Sequence, residues 1–455
     1  MLTEKPKRNP IDRLVYPIQE FIHTEISGSL FLIAATLLAL IWANSAWGES
    51  YVDFWHTHVN FSIAGDFFKL DLSLLHWIND ALMAVFFFVV GLEIKREVLV
   101  GELTSLRKTI LPIASAVGGM LFPALIFAAM NANGIAAAGW GIPMATDIAF
   151  ALGILALVGS RAPLSLKVFL TAVAIIDDIG AVLIIAFFYT EQVLWVSLLV
   201  ALVVWLLMWL VNWSGIRHPL VYASLGIILW LAFLKSGVHA TVAGVLAAMT
   251  IPAQTRVNTK YFLERAQYYL DKFQHAQRPG TGVLTNRRQR AAVQKLESLS
   301  KAAQSPMQML EHGLHPWVAF LIIPIFALSN AGVALSISTE TLTSPVVWGV
   351  LVGLVVGKQI GVTLFAWLAI RLGLADMPEG LNWRHIYGAA WLAGIGFTMS
   401  LFIGGLAYGE GDLLSQAKIG ILAASILSGV VGWIILRNTP PAMAGAEDPI
   451  LLPKD

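Results

Sequence analysis

Five charged residues fall inside stretches whose neighbours are almost all apolar: Asp80, Asp147, Asp177, Asp178 and Lys358. On insertion scales a charge at mid-membrane costs about 2.5–3.5 kcal/mol, so residues of this kind face a partner or a water-filled cavity and carry function by default. Asp177 and Asp178 are the most telling, in the run Ala174-Ile175-Ile176-Asp177-Asp178-Ile179. Adjacent positions on a helix sit about 100° apart, so one carboxylate can point to an ion path while the other reaches a neighbouring helix. Burial raises a carboxylate's pKa, and a second carboxylate nearby raises it further. A dehydrated pair of carboxyl oxygens is also what a hard cation requires in place of its water. Proton and cation then compete for the same oxygens. Such competition, at a site opened alternately to each side of a membrane, is exchange.

The other charges suggest how the pair is supported. Lys358, in Val355-Val356-Gly357-Lys358-Gln359, is the expected counter-charge, being too deep to reach an interface. Asp147 follows Pro143 in Pro143-Met144-Ala145-Thr146-Asp147, where a helix should break. If two broken helices cross in opposite senses, like dipole ends meet. An acid near two N-termini and a base near two C-termini would offset them. Thr146 and Thr398 either satisfy backbone freed by the breaks or ligate the ion. Asp80 lies nearer a membrane face, where a structural role fits better. Glu93, Glu97, Glu311, His312 and His315 gather at one expected face, and either focus cations or sense pH, since His changes charge between pH 5 and 8. His239, on the opposite face, reads as a hydrogen-bonded structural histidine.

These residues need elements to hold them, and the composition says which. Of 455 residues, 57% are hydrophobic and 13% charged, with a mean hydropathy of +0.74. A soluble domain is nearer a quarter charged. The excess falls in runs of about 20 residues, the length of a membrane helix, without the two-residue alternation of a membrane barrel. The expected fold is an all-α polytopic membrane protein of about twelve transmembrane helices, at approximately 28–47, 74–94, 110–131, 136–157, 164–189, 192–213, 219–235, 238–252, 314–335, 346–369, 385–407 and 416–436. Counting Lys167 and Lys235, at span ends, with the adjoining loops, Lys and Arg number 25 on the side of the N-terminus and 2 on the other. Leaving out the long polar loop they still divide 15 to 2. By the positive-inside rule both termini should be cytoplasmic.

The expected organisation is one membrane domain: an N-terminal cytoplasmic segment (1–27), helices 1–8 (28–252), a long cytoplasmic loop (253–313), helices 9–12 (314–436) and a cytoplasmic tail (437–455). Spans 3–5 and 10–12 form matching triplets entering from opposite sides, with spans 4 and 11 interrupted by Gly139-Trp140-Gly141-Ile142-Pro143 and Gly394-Ile395-Gly396. Inverted repeats with broken helices at corresponding places mark a transporter's binding site. In the long loop Phe262, Ala266, Tyr269, Leu270 and Phe273 have helical spacing, and Pro279-Gly280-Thr281-Gly282 breaks it. A helical hairpin, solvated or near anionic lipid, is expected there.

Several classes are excluded. A net charge of +1 points to no nucleic acid, and the absence of cysteine rules out disulfides, thiolate metal sites and cysteine nucleophiles. Gly409-Glu410-Gly411-Asp412 has the letters of an intramembrane aspartyl protease motif, but it falls in an expected external loop. Adjacent acids also cannot face each other as that chemistry needs. An organic-anion carrier would offer a basic site rather than two neighbouring acids.

At the same segments the chain resembles the NhaA family of bacterial sodium/proton antiporters. The stretches that carry the resemblance run in order: Asn79-Asp80-Ala81-Leu82-Met83, Gly91-Leu92-Glu93-Ile94-Lys95-Arg96-Glu97, Pro143 to Phe150, Ala174 to Asp178, Ser236-Gly237-Val238-His239-Ala240-Thr241, Leu310-Glu311-His312-Gly313-Leu314-His315-Pro316-Trp317 and Gly357-Lys358. The resemblance implies an electrogenic, pH-regulated antiporter of the bacterial inner membrane, exporting Na+ or Li+ for more than one H+, with no cofactor and often as a homodimer. It implies Asp178 as the principal ion ligand, with Asp177 beside it and paired to Lys358. Asp147 and Lys358 would balance the crossed helices, with Thr146 at the site. Glu93, Glu97, Glu311, His312 and His315 would be linked to pH activation, and His239 to the pH response. The long loop is much longer than in familiar relatives, and Gln308-Met309 precede Leu310 where a basic residue would be expected.

Overall fold

A backbone surrounded by hydrocarbon has only its own groups to bond, so apolar runs of this length close into helices. The computed structural model describes residues 25–63, 68–101, 106–190, 193–255, 257–277, 285–334 and 339–440. The basic N-terminal residues Lys5, Lys7, Arg8 and Arg13, the break at Pro279–Gly282 and the tail beyond residue 440 lie outside them. Helix α1 (Glu25–Ala43) turns by 114° into α2 (Gly48–His56). After a two-stranded hairpin come α3 (Leu74–Val100), α4 (Leu106–Met130), a 3₁₀ segment (Ile135–Met144), α5 (Ile148–Val158), α6 (Leu164–Phe188), α7 (Trp195–Trp213), α8 (Pro219–Leu234) and α9 (Val242–Thr250). Then follow α10 (Thr259–His275), α11 (Arg287–Ala303), α12 (Pro306–Asn330), α13 (Pro345–Arg371), α14 (Trp383–Ala393), α15 (Phe397–Tyr408) and α16 (Asp412–Arg437). This is an all-α polytopic membrane fold.

Each of the twelve expected segments coincides with helix. Among the described residues, eight helices are long and apolar enough to cross a membrane, or up to ten when each of two bent pairs counts as one span. The shortfall sits at α8 and α9, of 16 and 9 residues, below the roughly 20 that a full crossing takes. Between them the chain turns at Ser236-Gly237, where Gly237 has φ 83°, and Lys95 donates to the Met249 and Ile251 carbonyls at the end of α9. Among the described residues, the strands are those of one hairpin, β1 (His58–Ile63) and β2 (Phe68–Ser73), antiparallel from His58 opposite Ser73 to Ile63 opposite Phe68. In the long loop, α10 and α11 pack as a hairpin, with Phe262, Ala266, Tyr269 and Phe273 half-buried against buried Ala292 and Leu299. Asn258 and Asn286 cap the two helices.

The element that carries Lys358 is set by glycine. A Cβ on Gly361 would stand 2.0 Å from the Gly118 carbonyl oxygen, and one on Gly118 would stand 2.2 Å from that of Gly361. Helices α4 and α13 therefore touch backbone to backbone, the close approach that small residues permit in membranes. One turn earlier, Gly357 meets Pro123 in the same way. This contact fixes the depth and rotation of α13, and with them the direction of the lysine.

Candidate ion-binding site

The two interrupted segments cross at their breaks. Pro143 has no N–H to give, and the chain runs extended through Ala145 to Asp147 before α5 begins. Between α14 and α15 the break at Gly394–Gly396 bends the segment by 43°. Asp147 N–H donates to the Ile395 carbonyl (2.6 Å), and Ser400 Oγ to that of Ile142 (2.7 Å). Asp147 then caps both helices that leave the crossing. Its Oδ1 accepts from Phe150 N–H (3.0 Å), at the start of α5. Its Oδ2 accepts from Thr398 N–H (3.0 Å) and Thr398 Oγ1 (2.6 Å), at the start of α15. Thr398 thus serves the cap rather than standing free as a ligand. A carboxylate beside two helix N-termini satisfies orphan N–H groups and offsets two positive dipole ends.

On the other side of the crossing, Lys358 is fully buried and its Nζ donates to Asp177 Oδ2 (2.6 Å) and Thr146 Oγ1 (3.0 Å). The single Thr146 hydroxyl proton has two acceptors within reach, Asp177 Oδ2 (2.7 Å) and the carbonyl of Ala393, the last residue of α14 (2.8 Å). A negative helix end is thereby linked through a hydroxyl to the lysine charge. Asp177 and Asp178, on α6, are both buried, and Oδ1 of each has no hydrogen-bond partner among the described residues. Asp178 lies within electrostatic reach of Asp177, Glu93, Asp147 and Lys358. One lysine thus stands against two acids, and two carboxyl oxygens are left unpartnered at the crossing.

The remaining candidates fall at the two ends. At the expected cytoplasmic face Arg96 clamps Glu97 (2.8 Å from Nη2) and donates from Nη1 to Glu311 of α12, drawing α3 and α12 together. Glu93 sits one turn from Glu97 and is half-buried. His312 is exposed and reaches the Gln308 carbonyl (3.1 Å), and His315 is exposed. These histidines are not brought into the Arg96 cluster by any hydrogen bond or ion pair among the described residues. At the opposite end a cavity of about 1080 Å³ is lined by Asp80, His239, Asn79, Asn330, His56 and Glu410 among others. There His239 Nδ1 pairs with Thr241 Oγ1 (2.8 Å) and its Nε2 stands 3.6 Å from Asp80 Oδ1. Asn330 donates to Asn79 Oδ1 (2.9 Å), which ties α12 to a π-turn in α3.

A family profile described as "Na+/H+ antiporter 1" matches residues 19–436, almost the whole chain. The chain belongs to this antiporter family. Its curated relatives agree with the family over nearly full length. The Na(+)/H(+) antiporter NhaA of Oleidesulfovibrio alaskensis is 50% identical over 429 residues, covering 94% of this chain and 95% of the relative. That of Koribacter versatilis is 48% identical over 445 residues (98% and 96%), and that of Acidithiobacillus ferrooxidans 50% over 428 (93% and 97%). Family membership makes the chain a multi-pass bacterial membrane transporter of the sodium/proton antiporter class, not an enzyme by descent.

Three contributors to the antiporter's crossing escaped the sequence. The Ala393 carbonyl that Thr146 reaches is a backbone group, with no residue type to flag it. Ser400 lies in the first turn of α15, just past the second break, but a serine in a helix usually bonds its own backbone. Ser425 Oγ accepts from Phe397 N–H (3.2 Å) from a distant helix, which no local spacing announces. Arg96 could have been suspected, being a cation set between Glu93 and Glu97 on one helix face.

Proposed function

We propose that this chain expels Na+ or Li+ in exchange for a larger number of protons, with Asp177 and Asp178 as the groups that hold either cargo. The observation that carries the reading is a buried acid pair of which Lys358 can neutralise only one member, with Oδ1 of each acid unpartnered. A hard cation is attracted to such oxygens, and burial makes an unneutralised carboxylate seek either a metal ion or a proton. Asp178 is the principal ligand. Asp177 yields its second oxygen while its first stays with Lys358 and Thr146. In the proton-loaded state both acids are protonated and Asp177 is parted from Lys358; as one monovalent ion enters, two protons leave and Asp177 re-forms the pair, so net charge moves and exchange is electrogenic. Rocking of the crossed helices about Asp147 and Thr398 would open the pair to each side in turn. No resident cofactor takes part.

The same reading assigns Glu93, Glu97, Glu311, His312 and His315 to a cytoplasmic funnel that adjusts activity to pH, with His239 modulating that response and Asp80 acting structurally. It sets the chain in the inner membrane with both termini cytoplasmic, as a homodimer in a lipid bilayer. Its partition is 1–27, 28–252, 253–313, 314–436 and 437–455. Everted vesicles loaded with a ΔpH dye provide the test. Added Na+ or Li+ should alkalinise the lumen, and Asp178→Asn should lower that rate at least a hundredfold while the protein remains in the membrane. Unchanged sodium-driven alkalinisation in Asp178→Asn would reject the assignment.

A further inference from the structure

The hairpin of the long loop is rooted firmly and otherwise packs chiefly on itself. Met307 N–H donates to the Pro252 carbonyl (3.2 Å) and Arg217 Nη1 to that of Gln254 (2.6 Å), which holds its two roots beside the ends of α9 and α12. The seam between α10 and α11 has heptad spacing, with steps of four and three residues from Phe262 to Phe273 and from Gln289 to Leu299. Gln289 Nε2 donates to the Phe273 carbonyl (3.4 Å), which sets the register. In an antiparallel pair, the flank that precedes the seam on one helix lies beside the same flank of the other. Here that flank carries Arg265 and Lys272 on α10, and Arg288 and Lys295 on α11, all exposed. The register sets Lys272 opposite Arg288 and Arg265 opposite Lys295. Tyr261 and Tyr268 share this face, with Arg265 5.4 Å from the first ring centroid and Lys272 Nζ 4.6 Å from the second. No acid joins them. Glu264 and Asp271 fall on the edge turned away from α11, and Glu297 pairs with Lys301 off this face (2.7 Å). Like charges set against each other destabilise a helix pair, so this face opposes its own fold until an anion covers it.

We infer that the basic face of the hairpin lies flat on anionic phospholipid head groups of the membrane that holds the bundle. Both roots are tied to membrane helices, so head groups are the anions always within reach. Each helix has 17 residues and is therefore about 25 Å long. Attraction to a charged surface fades within a Debye length, about 8–10 Å. A hairpin lying flat keeps all four cations inside that range, and one standing upright loses most of them. Tyr261 and Tyr268 strengthen the fit, since tyrosine settles at head-group level with its ring toward the chains. The opposite face carries exposed Leu263, Leu270 and Val293 among polar residues. Scattered apolar side chains of that kind are ordinary on a surface, and they give no preference for an anion. The inference stands apart from the transport proposal, because it uses only the hairpin and its roots.

The chain has no cysteine of its own, so a single thiol can carry an environment-sensitive fluorophore on either face of the hairpin. Ala291→Cys places it on the basic side and Gln267→Cys on the opposite one, both at exposed positions. The full chain is set in nanodiscs of phosphatidylcholine, or of phosphatidylcholine and phosphatidylglycerol in equal parts, with a phospholipid spin-labelled near its head group as quencher. In the mixed discs the Ala291→Cys probe should be quenched at least threefold more than the Gln267→Cys probe. That excess should vanish in phosphatidylcholine alone and in molar potassium chloride. Adding Arg265→Gln, Lys272→Gln, Arg288→Gln and Lys295→Gln together should abolish it as well, with a melting temperature equal to or above that of the parent, since the repulsion is relieved. Equal quenching with and without phosphatidylglycerol, or stronger quenching of the Gln267→Cys probe, would overturn the proposal. So would the absence of quenching from both probes, which would leave the basic face to a soluble acidic partner.

Discussion

A lysine ammonium with no water around it remains charged only by leaning on an anion, and Lys358 leans on Asp177 at 2.6 Å. Breaking a buried pair by removing one partner is worse than never having built it, because the survivor is left charged and desolvated. Lys358→Met should therefore cost about 3–5 kcal/mol, read as a fall in the melting temperature of the purified protein. Lys358→Met combined with Asp177→Asn should recover most of that loss. Equal melting temperatures for the single and double variants would mean that the two groups are not coupled. These residues were legible in the sequence because a charge stands out against an apolar run. Asp177, Asp178, Asp147 and Lys358 announce themselves by hydropathy alone, and the fold brings all four to the crossing. Thr146 and Thr398 carry no such signal. Their types allowed either capping or ligation, and only three-dimensional geometry separates them: Thr398 bonds the capping acid, while Thr146 sits between Lys358 and Asp177.

An element that stops inside a membrane leaves several N–H groups and carbonyls without partners, so each broken helix needs a cap that survives burial. Asp147 supplies one for α5 and one for α15, from a single carboxylate. Replacing a capping acid by alanine typically costs about 0.5–2 kcal/mol per helix, so Asp147→Ala should destabilise the protein by about 2 kcal/mol or more. Asp147→Asn keeps an acceptor for either helix and should lose less. Thermal melts of the two variants beside the parent check the order, and an alanine variant as stable as the asparagine one would dismiss the double cap. Glycine and proline made both breaks readable in advance. Other features at this scale had no such punctuation. The hairpin β1–β2 alternates apolar and polar residues, with Val59, Phe61 and Ile63 on one strand and Phe68, Leu70 and Leu72 on the other, a two-residue period over too few residues to stand out among long apolar runs. The shortness of α9 follows from a turn at Ser236-Gly237 and from Lys95 reaching across to its final carbonyls, a contact made by another helix. Apolar character alone extends the segment past both limits.

For the whole molecule the governing quantity is the lopsided distribution of positive charge, 25 Lys and Arg in the loops and at the span ends on one side and 2 on the other. Positive side chains resist passage to the outer face. A chain of this pattern is therefore held in one orientation by the sum of many loops rather than by any single one. The long loop contributes strongly, but its removal from the count leaves the asymmetry in place, so the orientation should not depend on the α10–α11 hairpin. The absence of cysteine makes this directly measurable, because any cysteine introduced is the chain's sole thiol. Ser45 is exposed in the turn between α1 and α2, and Gln294 is exposed on α11. In intact cells a membrane-impermeant maleimide should label Ser45→Cys and leave Gln294→Cys untouched, and permeabilisation should expose the second to the same extent as the first. Deleting residues 259–303 should leave the labelling of Ser45→Cys unchanged. Labelling of Gln294→Cys in sealed cells would invert the arrangement, and with it the side on which Glu93, Arg96, Glu97 and Glu311 meet the ion. The cluster would then face the outside medium, and its charge could not answer to the pH of the cytoplasm.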